Sequence, residues 1–513
     1  MYRITVHGDD RIAKIEPDLY GHFSEHIGGV FYDGIWVGED SKIPNIRGLR
    51  LELVEKLKAI GAPVIRWPGG CFAETYDWRD GIGPREERPT RINWWRNSDG
   101  RYEPNSVGTH EFVDFCRLVG AEPYIAANIT SLTPLDIRDW MDYCNSPAGT
   151  TTLAREREKN GSREPLNVKY WGVGNETWGG GGNMTGEMYA HEYRKYAVIM
   201  ENADPHAQLI CSGADHNDWR WAHDVLGVLE SSYRIMNGFS LHFYCGAAGD
   251  PLAFSEEEWY KQLRQALDIE RAIQRNWGFV VGYGMEKRAR LVIDEWGCWH
   301  PGGSGPSSHM KDYGIEPAPN NPEGVQNLFE QQSTMRDGIV AAATLNMFNN
   351  HAEKIKMATV AQLVNNLHCL FLAGGPYCIT TPTYHVFDMM KDHMGGDALR
   401  ISGDLGEITR EQEDRRRNYS VPNLSVSASK KDGVLTLTLA NLSVTEAADV
   451  KLNLSCLEAA PEAEYITFTA DDPHAHNTYE EPDKVHLTRE TKTFDGSVTV
   501  PAFSAVTVRV RAE

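Results

Sequence analysis

No C-x-x-C pair occurs among the nine cysteines, and their number is odd. Cys71, Cys116, Cys144, Cys211, Cys245, Cys298, Cys369, Cys378 and Cys456 fall at irregular intervals, so neither a disulfide framework nor a thiolate zinc module is indicated. Positive charge is scarce: 51 Lys and Arg stand against 72 Asp and Glu, a net charge of −21. Such a surface repels nucleic-acid phosphates and anionic lipid, so no nucleic acid and no membrane is expected as a partner. Long apolar runs are missing, and none reaches the roughly 20 residues that a bilayer span requires. The opening MYRITVHGDD has no basic segment followed by an apolar one, as a secretory signal would. The expected location is cytoplasmic. Internal repeats and low-complexity stretches are also absent.

What the chain does have is a regular beat of short apolar runs. They are DLYGHFSEH (18–26), PVIRWPGG (63–70), EPYIAANI (122–129), VKYWGVGNE (168–176), QLICSGAD (208–215), GFSLHFY (238–244), ARLVIDEW (289–296) and TLNMFNN (344–350). Most are continuous rather than alternating, as suits parallel strands buried on both faces. Helix-length segments with 3.6-residue periodicity lie between them, such as LRLELVEKLKAIG (49–61), HEFVDFCRLVG (110–120) and EMYAHEYRKYAVIMENA (187–203). Gly61 stands where a C-cap belongs. A last helix is expected over VAQLVNNLHCLFLA (360–373). Eight strand–helix units predict an α/β chain with a (β/α)8 TIM barrel. An open doubly wound sheet would show fewer units and a phosphate-binding glycine loop after its first strand, and neither is present.

Beyond about residue 385 the pattern changes. EQEDRRRN (411–418) reads as a solvated connection. LSVSASKKDGVLTLTLANLSV (424–444) then alternates with period two on both sides of Asp432-Gly433, a hairpin signal. The alternation continues to the end and predicts an antiparallel, jelly-roll-like β-sandwich. YRITVHGD, at the start, alternates in the same way and is expected to join it. The expected division is 1–15 for the joining strand, 16–385 for the catalytic barrel and 386–513 for the sandwich.

Barrel active sites lie at the C-terminal ends of the strands. The first run delivers Glu25 and His26 there, the second Arg66 and Trp67, the fourth Asn175 and Glu176, the sixth His242 and Tyr244, and the seventh Asp294, Glu295 and Trp296. Glu176 and Glu295, on the fourth and seventh strands, face each other across the mouth. Two opposed carboxylates suit glycoside hydrolysis, one protonated to assist departure and the other ionised to attack. The glycines after Glu176 leave room for close backbone approach. Trp95, Trp178, Trp296 and Trp299 offer flat faces on which sugar rings stack.

These residues sit in longer motifs: YGHFSEHIGGVFYDGIWVGEDSKIPN (20–45), RWPGGCFAETYDWRDGIGP (66–84), YWGVGNETWG, SLHFY, DEWGCW and TPTYHVFDM (381–389). In this order, across nearly the whole barrel, they resemble the glycoside hydrolase family 51 α-L-arabinofuranosidases. The resemblance implies retaining hydrolysis with Glu176 as general acid/base and Glu295 as nucleophile. It implies sugar contacts from Glu25, Asn175 and Gln362, with His242 and Tyr244 as contacts around Glu295 at the substrate, and Trp299 is counted with them for its flat face. Cys71 departs from the family, standing where many relatives carry Asn, and is expected to be only a weak pocket contact. Arg66 would hold the nucleophile ionised. The implied substrates are neutral arabinose-containing oligosaccharides, from arabinoxylan or arabinan, cut from the non-reducing end. A homo-oligomer, possibly a hexamer, is implied as well.

No cofactor or metal is expected, since GDDR near the start and HMKDYGIEP (309–317) lack ligand spacing. Two alternatives stay open at this point. One is the same machinery with β-xylosidase or β-1,4-glucanase specificity. The other is a non-catalytic carbohydrate-binding protein, which would have no need of an acid–nucleophile pair.

Overall fold

The computed structural model describes residues 1–95, 102–216, 218–246, 248–301, 329–411 and 418–513. The segment HMKDYGIEP and most of the charge run EQEDRRRN lie outside the described residues.

A closed barrel of eight strands forms the body of the chain. Its strands are, in order, Gly21–Phe23, Val64–Trp67, Glu122–Ala127, Tyr170–Val173, Gln208–Cys211, Gly238–Cys245, Arg290–Cys298 and Ile355–Ala361. Each pairs in parallel with its neighbours in sequence, and the eighth closes on the first through Thr359 opposite Gly21. Below the mouth, Val64, Tyr124, Tyr170, Ile210, Val292 and Met357 pack as one apolar cluster drawn from six strands. The expected helices are present at Leu51–Ile60, Thr109–Val119 and Gly186–Ala203. Gly61 adopts φ 66° and donates back to Leu57 and Lys58, ending the first of them as a left-handed cap.

Two expectations fail at the barrel's closure. TLNMFNN is not the eighth strand; it is the end of the helix Met335–Asn350. The eighth strand is Ile355–Ala361, eleven residues further on by its start from Thr344. The helix expected over 360–373 is absent too. Its first residues finish that strand, and Phe371–Gly374 forms a small hairpin with Tyr377–Thr380. The cause of the first error is burial. Met335 to Asn349 are all buried, because this helix lies between the barrel and the C-terminal sheet. Asn346 and Asn350 donate to the Ser425 and Val426 carbonyls, and Asn349 to the Ser427 hydroxyl. A helix covered on every side has no polar face to reveal its period. The cause of the second lies in the backbone, where Asn365 and Leu367 take φ of 62° and 53°, incompatible with a continuing helix.

The C-terminal region is a nine-stranded sheet. Leu424–Lys431 and Val434–Asn441 form the expected hairpin, with Asp432 and Gly433 at φ 50° and 75°, the signs a two-residue primed turn requires. The N-terminal strand Tyr2–Lys14 joins the sheet, antiparallel to Asp397–Gly403 and parallel to Ala448–Ser455. The sheet rolls over on itself, so Ile4 and Val6 share one core with Leu437, Val450, Val500 and Val508.

Candidate active site

The two carboxylates singled out from the sequence come together at the mouth. One oxygen of Glu176, one of Glu295 and a ring nitrogen of His242 all lie within 4.8 Å of one another. Glu295 sits on the seventh strand and His242 is its register partner on the sixth. Glu176 follows the fourth strand by way of Gly174 and Asn175, and takes φ 43°.

Glu295 is held at both oxygens. Arg66 Nη1 donates to Oε1 at 2.7 Å, and the Tyr244 hydroxyl donates to Oε2 at 2.8 Å. Arg66, from the second strand, is fully buried and also donates through Nη2 to Asn175 Oδ1 at 2.6 Å. Its ring neighbours are Phe23 and Tyr124, 4.6 and 5.7 Å from the guanidinium. Burial opposes the Arg66 charge, but Asp294 and Glu295 more than offset it and raise its pKa. Burial also pushes the Glu295 carboxyl up, while His242 and Arg66 pull it back.

His242 bridges the site. Its Nδ1 lies 3.0 Å from Glu176 Oε1 and 3.5 Å from Glu295 Oε2, and its Nε2 lies 3.2 Å from Asp294 Oδ1. With carboxylate oxygens at both nitrogens, the ring is suited to carry two protons. Burial works against that charge, yet Glu295 and Asp294 outweigh it and raise His242 to about 10. Asp294 in turn accepts from the Tyr124 and Ser240 hydroxyls. Against the cost of burial, Arg66 and His242 hold its carboxyl well below the usual range.

Glu25 marks the inner end of the site and is buried to 3% exposure. Its Oε1 accepts from the Phe72 amide and the Trp95 indole, and its Oε2 from Gln362 Nε2, each at 3.0 Å. Gln362 Oε1 returns the contact by accepting the Glu25 amide at 2.9 Å. Gln362 follows directly on the eighth strand rather than riding on a helix. Burial, with the Glu295 charge added, raises Glu25 to about 7. Cys71 sits beside Glu176, its Sγ 3.4 Å from Oε2. Burial first, and then Glu176 and Glu25, push this thiol far up, so it stays protonated, a weak donor toward Glu176 and a weak acceptor from Asn175 Nδ2.

The glycine run serves the backbone as well as the cleft. A Cβ on Gly181 would meet the Asn175 carbonyl at 1.8 Å, and one on Gly180 would meet Cys71 Sγ at 2.9 Å. The amides of Gly179 and Gly181 both donate to the Glu176 carbonyl, at 2.7 and 3.1 Å. The tryptophans divide. Trp299 is 38% exposed and stands edge-on to Tyr244 with centroids 5.0 Å apart. Trp95 is tied to Glu25. Trp178 packs partly buried against the core. Trp296 is not at the mouth: it is buried to 2% against Phe348, His368 and Phe387, because its side chain points outward from the barrel to the helices. His26 likewise leaves the site, sitting between Glu103 and the Trp67 indole.

Sequence reading missed Asp294, Ser240 and Tyr124 as a connected group, since nothing in spacing alone says that they meet. It also missed Glu74, which carries a visible signal as an acid within RWPGGCFAETYDW. Among the described residues two groups could hold a cation by distance: Glu176, His242 and Glu295 at the mouth, and Cys298, His300 and Asp337 in the interior. At the first, Arg66 and Tyr244 already occupy the Glu295 oxygens and the raised pKa keeps the proton on His242. At the second, His300 Nε2 is bonded to Asp337 Oδ1 at 2.7 Å.

Comparison with known proteins agrees along the chain. Residues 56–248 match the α-L-arabinofuranosidase 1 domain, and residues 294–504 match the α-L-arabinofuranosidase C-terminal domain. An intracellular exo-α-L-arabinofuranosidase from Bacteroides ovatus is 37% identical, with 99% of this chain and 95% of that protein aligned. The crystal structure of the GH51 arabinofuranosidase from Xanthomonas axonopodis pv. citri superposes with a TM-score of 0.89 at 34% identity, over 99% of each chain. The arabinose complex of the α-L-arabinofuranosidase from Thermotoga maritima gives 0.84 at 30% identity, over 99% of this chain and 100% of that one. With its paired carboxylates, its barrel and these matches over its whole length, the chain belongs to the glycoside hydrolase family 51 α-L-arabinofuranosidases.

Proposed function

We propose that this glycoside hydrolase removes terminal non-reducing α-L-arabinofuranosyl residues by double displacement with retention. The observation that carries the reading is the short gap between the two carboxylates, one oxygen of each lying within 4.8 Å of the other. Retaining glycosidases hold their carboxyl groups about 5–5.5 Å apart, whereas inverting ones need about 6.5–9.5 Å to seat a water.

In this reading Glu295 attacks the anomeric carbon. Arg66 and Tyr244 supply donors to its two oxygens and favour the ionised form. Glu176 protonates the departing oxygen, then as a base takes a proton from the water that cleaves the glycosyl-enzyme. Glu25, Gln362, Asn175, Tyr244 and His242 bind the sugar, Cys71 adds a weak contact, and Trp299 flanks the entrance. Exo action is supported by the closed inner end, where Glu25 and Gln362 are bonded to each other and walled by Phe72 and Trp95. Such an end receives a terminal residue but does not let a chain pass.

The acidic surface suits neutral oligosaccharides from arabinoxylan or arabinan. A cytoplasmic location is supported by the intracellular relative from Bacteroides ovatus. A homo-oligomer, such as a hexamer, is proposed on the family resemblance alone.

Methanolysis of p-nitrophenyl α-L-arabinofuranoside followed by NMR tests the stereochemistry. Methyl α-L-arabinofuranoside as the first product is expected, and the β-glycoside would contradict retention.

A further inference from the structure

Behind the catalytic pair lies a carboxylate that does not belong to it. Glu74 occupies the short helical turn Cys71–Thr75 after the second strand and is fully buried. Its oxygens meet backbone amides: Oε1 accepts from Asn175 N–H at 2.6 Å, and Oε2 from Thr130 and Ile129 N–H at 3.1 and 3.3 Å. Those amides follow the third and fourth strands, Glu122–Ala127 and Tyr170–Val173. One side chain from the second strand's loop thus ties the ends of the next two.

We propose that Glu74 is a positioning residue for the hydrolysis, the buried anion that fixes the Asn175 amide and so aims the neighbouring Glu176 at the departing oxygen. The inference rests on Glu176 being the acid/base. Glu176 takes φ 43°, a conformation that side-chain-bearing residues adopt only where their surroundings impose it. Its own carbonyl is held by Gly179 and Gly181, and the residue before it is held by Glu74. The Asn175 side chain then reaches Arg66 at 2.6 Å, so the same anchor steadies the cation on Glu295.

The chemistry requires a carboxylate. Every one of these backbone partners is an N–H donor, and only an ionised carboxyl presents acceptors on both arms. Glutamine would turn an NH2 toward one of the amides, leaving two donors face to face in a buried place. Aspartate, one methylene shorter, would not reach both strand ends.

The test compares the wild type, Glu74→Gln and Glu176→Ala at pH 8, above the value of about 7 to which burial pushes the Glu74 carboxyl. The substrates are an arabino-oligosaccharide and dinitrophenyl α-L-arabinofuranoside, and the dinitrophenolate burst counts working sites. Glu74→Gln should lose about 10²-fold in kcat on the oligosaccharide, the cost of a misplaced general acid. It should lose less than about tenfold in the burst rate on the dinitrophenyl substrate, which departs without a proton, and KM should change little. Loss of folding alone would lower the burst amplitude and the apparent kcat in the same proportion and leave both rates per working site unchanged. Equal rate losses on both substrates at full burst amplitude, or no loss on either, would overturn the proposal.

Should Glu74→Gln not fold, Thr130→Val removes the hydroxyl hydrogen bond to the same carboxylate from an exposed position. The same selective loss, smaller in size, is expected, and a loss independent of leaving group would overturn the proposal. Glu176→Ala separates the two readings. If it too lacks selectivity, the acid/base assignment fails; if it is selective and Glu74→Gln is not, the role of Glu74 alone fails.

Discussion

Arg66 and Glu295, delivered by the second and seventh barrel strands, meet in a buried ion pair with Nη1 and Oε1 2.7 Å apart. The other guanidinium nitrogen donates to Asn175, next to Glu176, so one cation touches the settings of both carboxylates. A carboxyl pushed up by burial is kept usable by this charge.

Arg66→Ala removes the cation and leaves Glu295 buried with Tyr244 and His242 as its remaining partners. The acidic limb of the kcat/KM profile, which reports ionisation of the nucleophile in the free enzyme, should move up by about 1–3 pH units. The rate at pH 6 should fall accordingly and recover in part as the pH rises. A pH profile of kcat/KM on an aryl arabinofuranoside measures this, and an unmoved acidic limb would show that Arg66 does not set the ionisation of Glu295.

Stability at alkaline pH should depend on His242. Its pKa is raised in the folded chain from 6.5 to about 10, mainly by Glu295 and Asp294 acting against burial. A group raised in this way contributes stability that is complete below its unfolded pKa and is lost as the pH climbs through the folded one. Tm of the wild type should therefore decline between about pH 7 and 10, a window set by the shift itself. His242→Gln keeps a donor without a titrating charge and should show a flatter profile over that range. An equally steep decline in the variant would place the effect in other groups.

Cys71 should matter little to rate. Its thiol, 3.4 Å from Glu176, is a weak donor held protonated by burial and by neighbouring carboxylates. Cys71→Ala should change kcat/KM by no more than about tenfold, the scale of one modest hydrogen bond. A loss of about 10³-fold would instead give the thiol a part in setting the proton on Glu176.

Much of this architecture is legible in the sequence, and the exceptions have physical causes. Seven of the eight strands stand out as apolar runs ending in polar residues, because each is buried over most of its length and opens on the mouth. The eighth, IKMATVA, carries a charge at its second residue, Lys356, while the neighbouring helix Met335–Asn350 is buried on all sides and imitates a strand. Glu176, Glu295, Arg66 and Tyr244 converge as their strand-end positions imply. Trp296 could not be placed so, because on a strand one residue decides between the mouth and the outer face. Asp294 and Glu295 are adjacent in sequence, yet Asp294 turns to Tyr124 and Ser240 in the barrel interior, at a place where the seventh strand's pairing is irregular on both sides, between Ser240 and His242 of the sixth strand and between its own Ile293 and Trp296 against the eighth. Glu74 stands in the sequence as an acid within RWPGGCFAETYDW, but its role is not legible there, because its partners are backbone amides, which leave no trace in side-chain patterns.

The central claim is that Glu176 and Glu295 divide the labour of a retaining hydrolysis, and azide tests it most directly. In Glu176→Ala the glycosyl-enzyme should still form from dinitrophenyl α-L-arabinofuranoside and then accumulate, since no base activates water. Azide needs no base and enters from the face that water uses, so it should restore turnover and yield α-L-arabinofuranosyl azide, identified by NMR. In Glu295→Ala any azide product should be the β-anomer, formed by direct displacement at the vacated nucleophile position. A β-azide from Glu176→Ala, or no rescue together with equal loss on activated and unactivated substrates, would contradict the assignment.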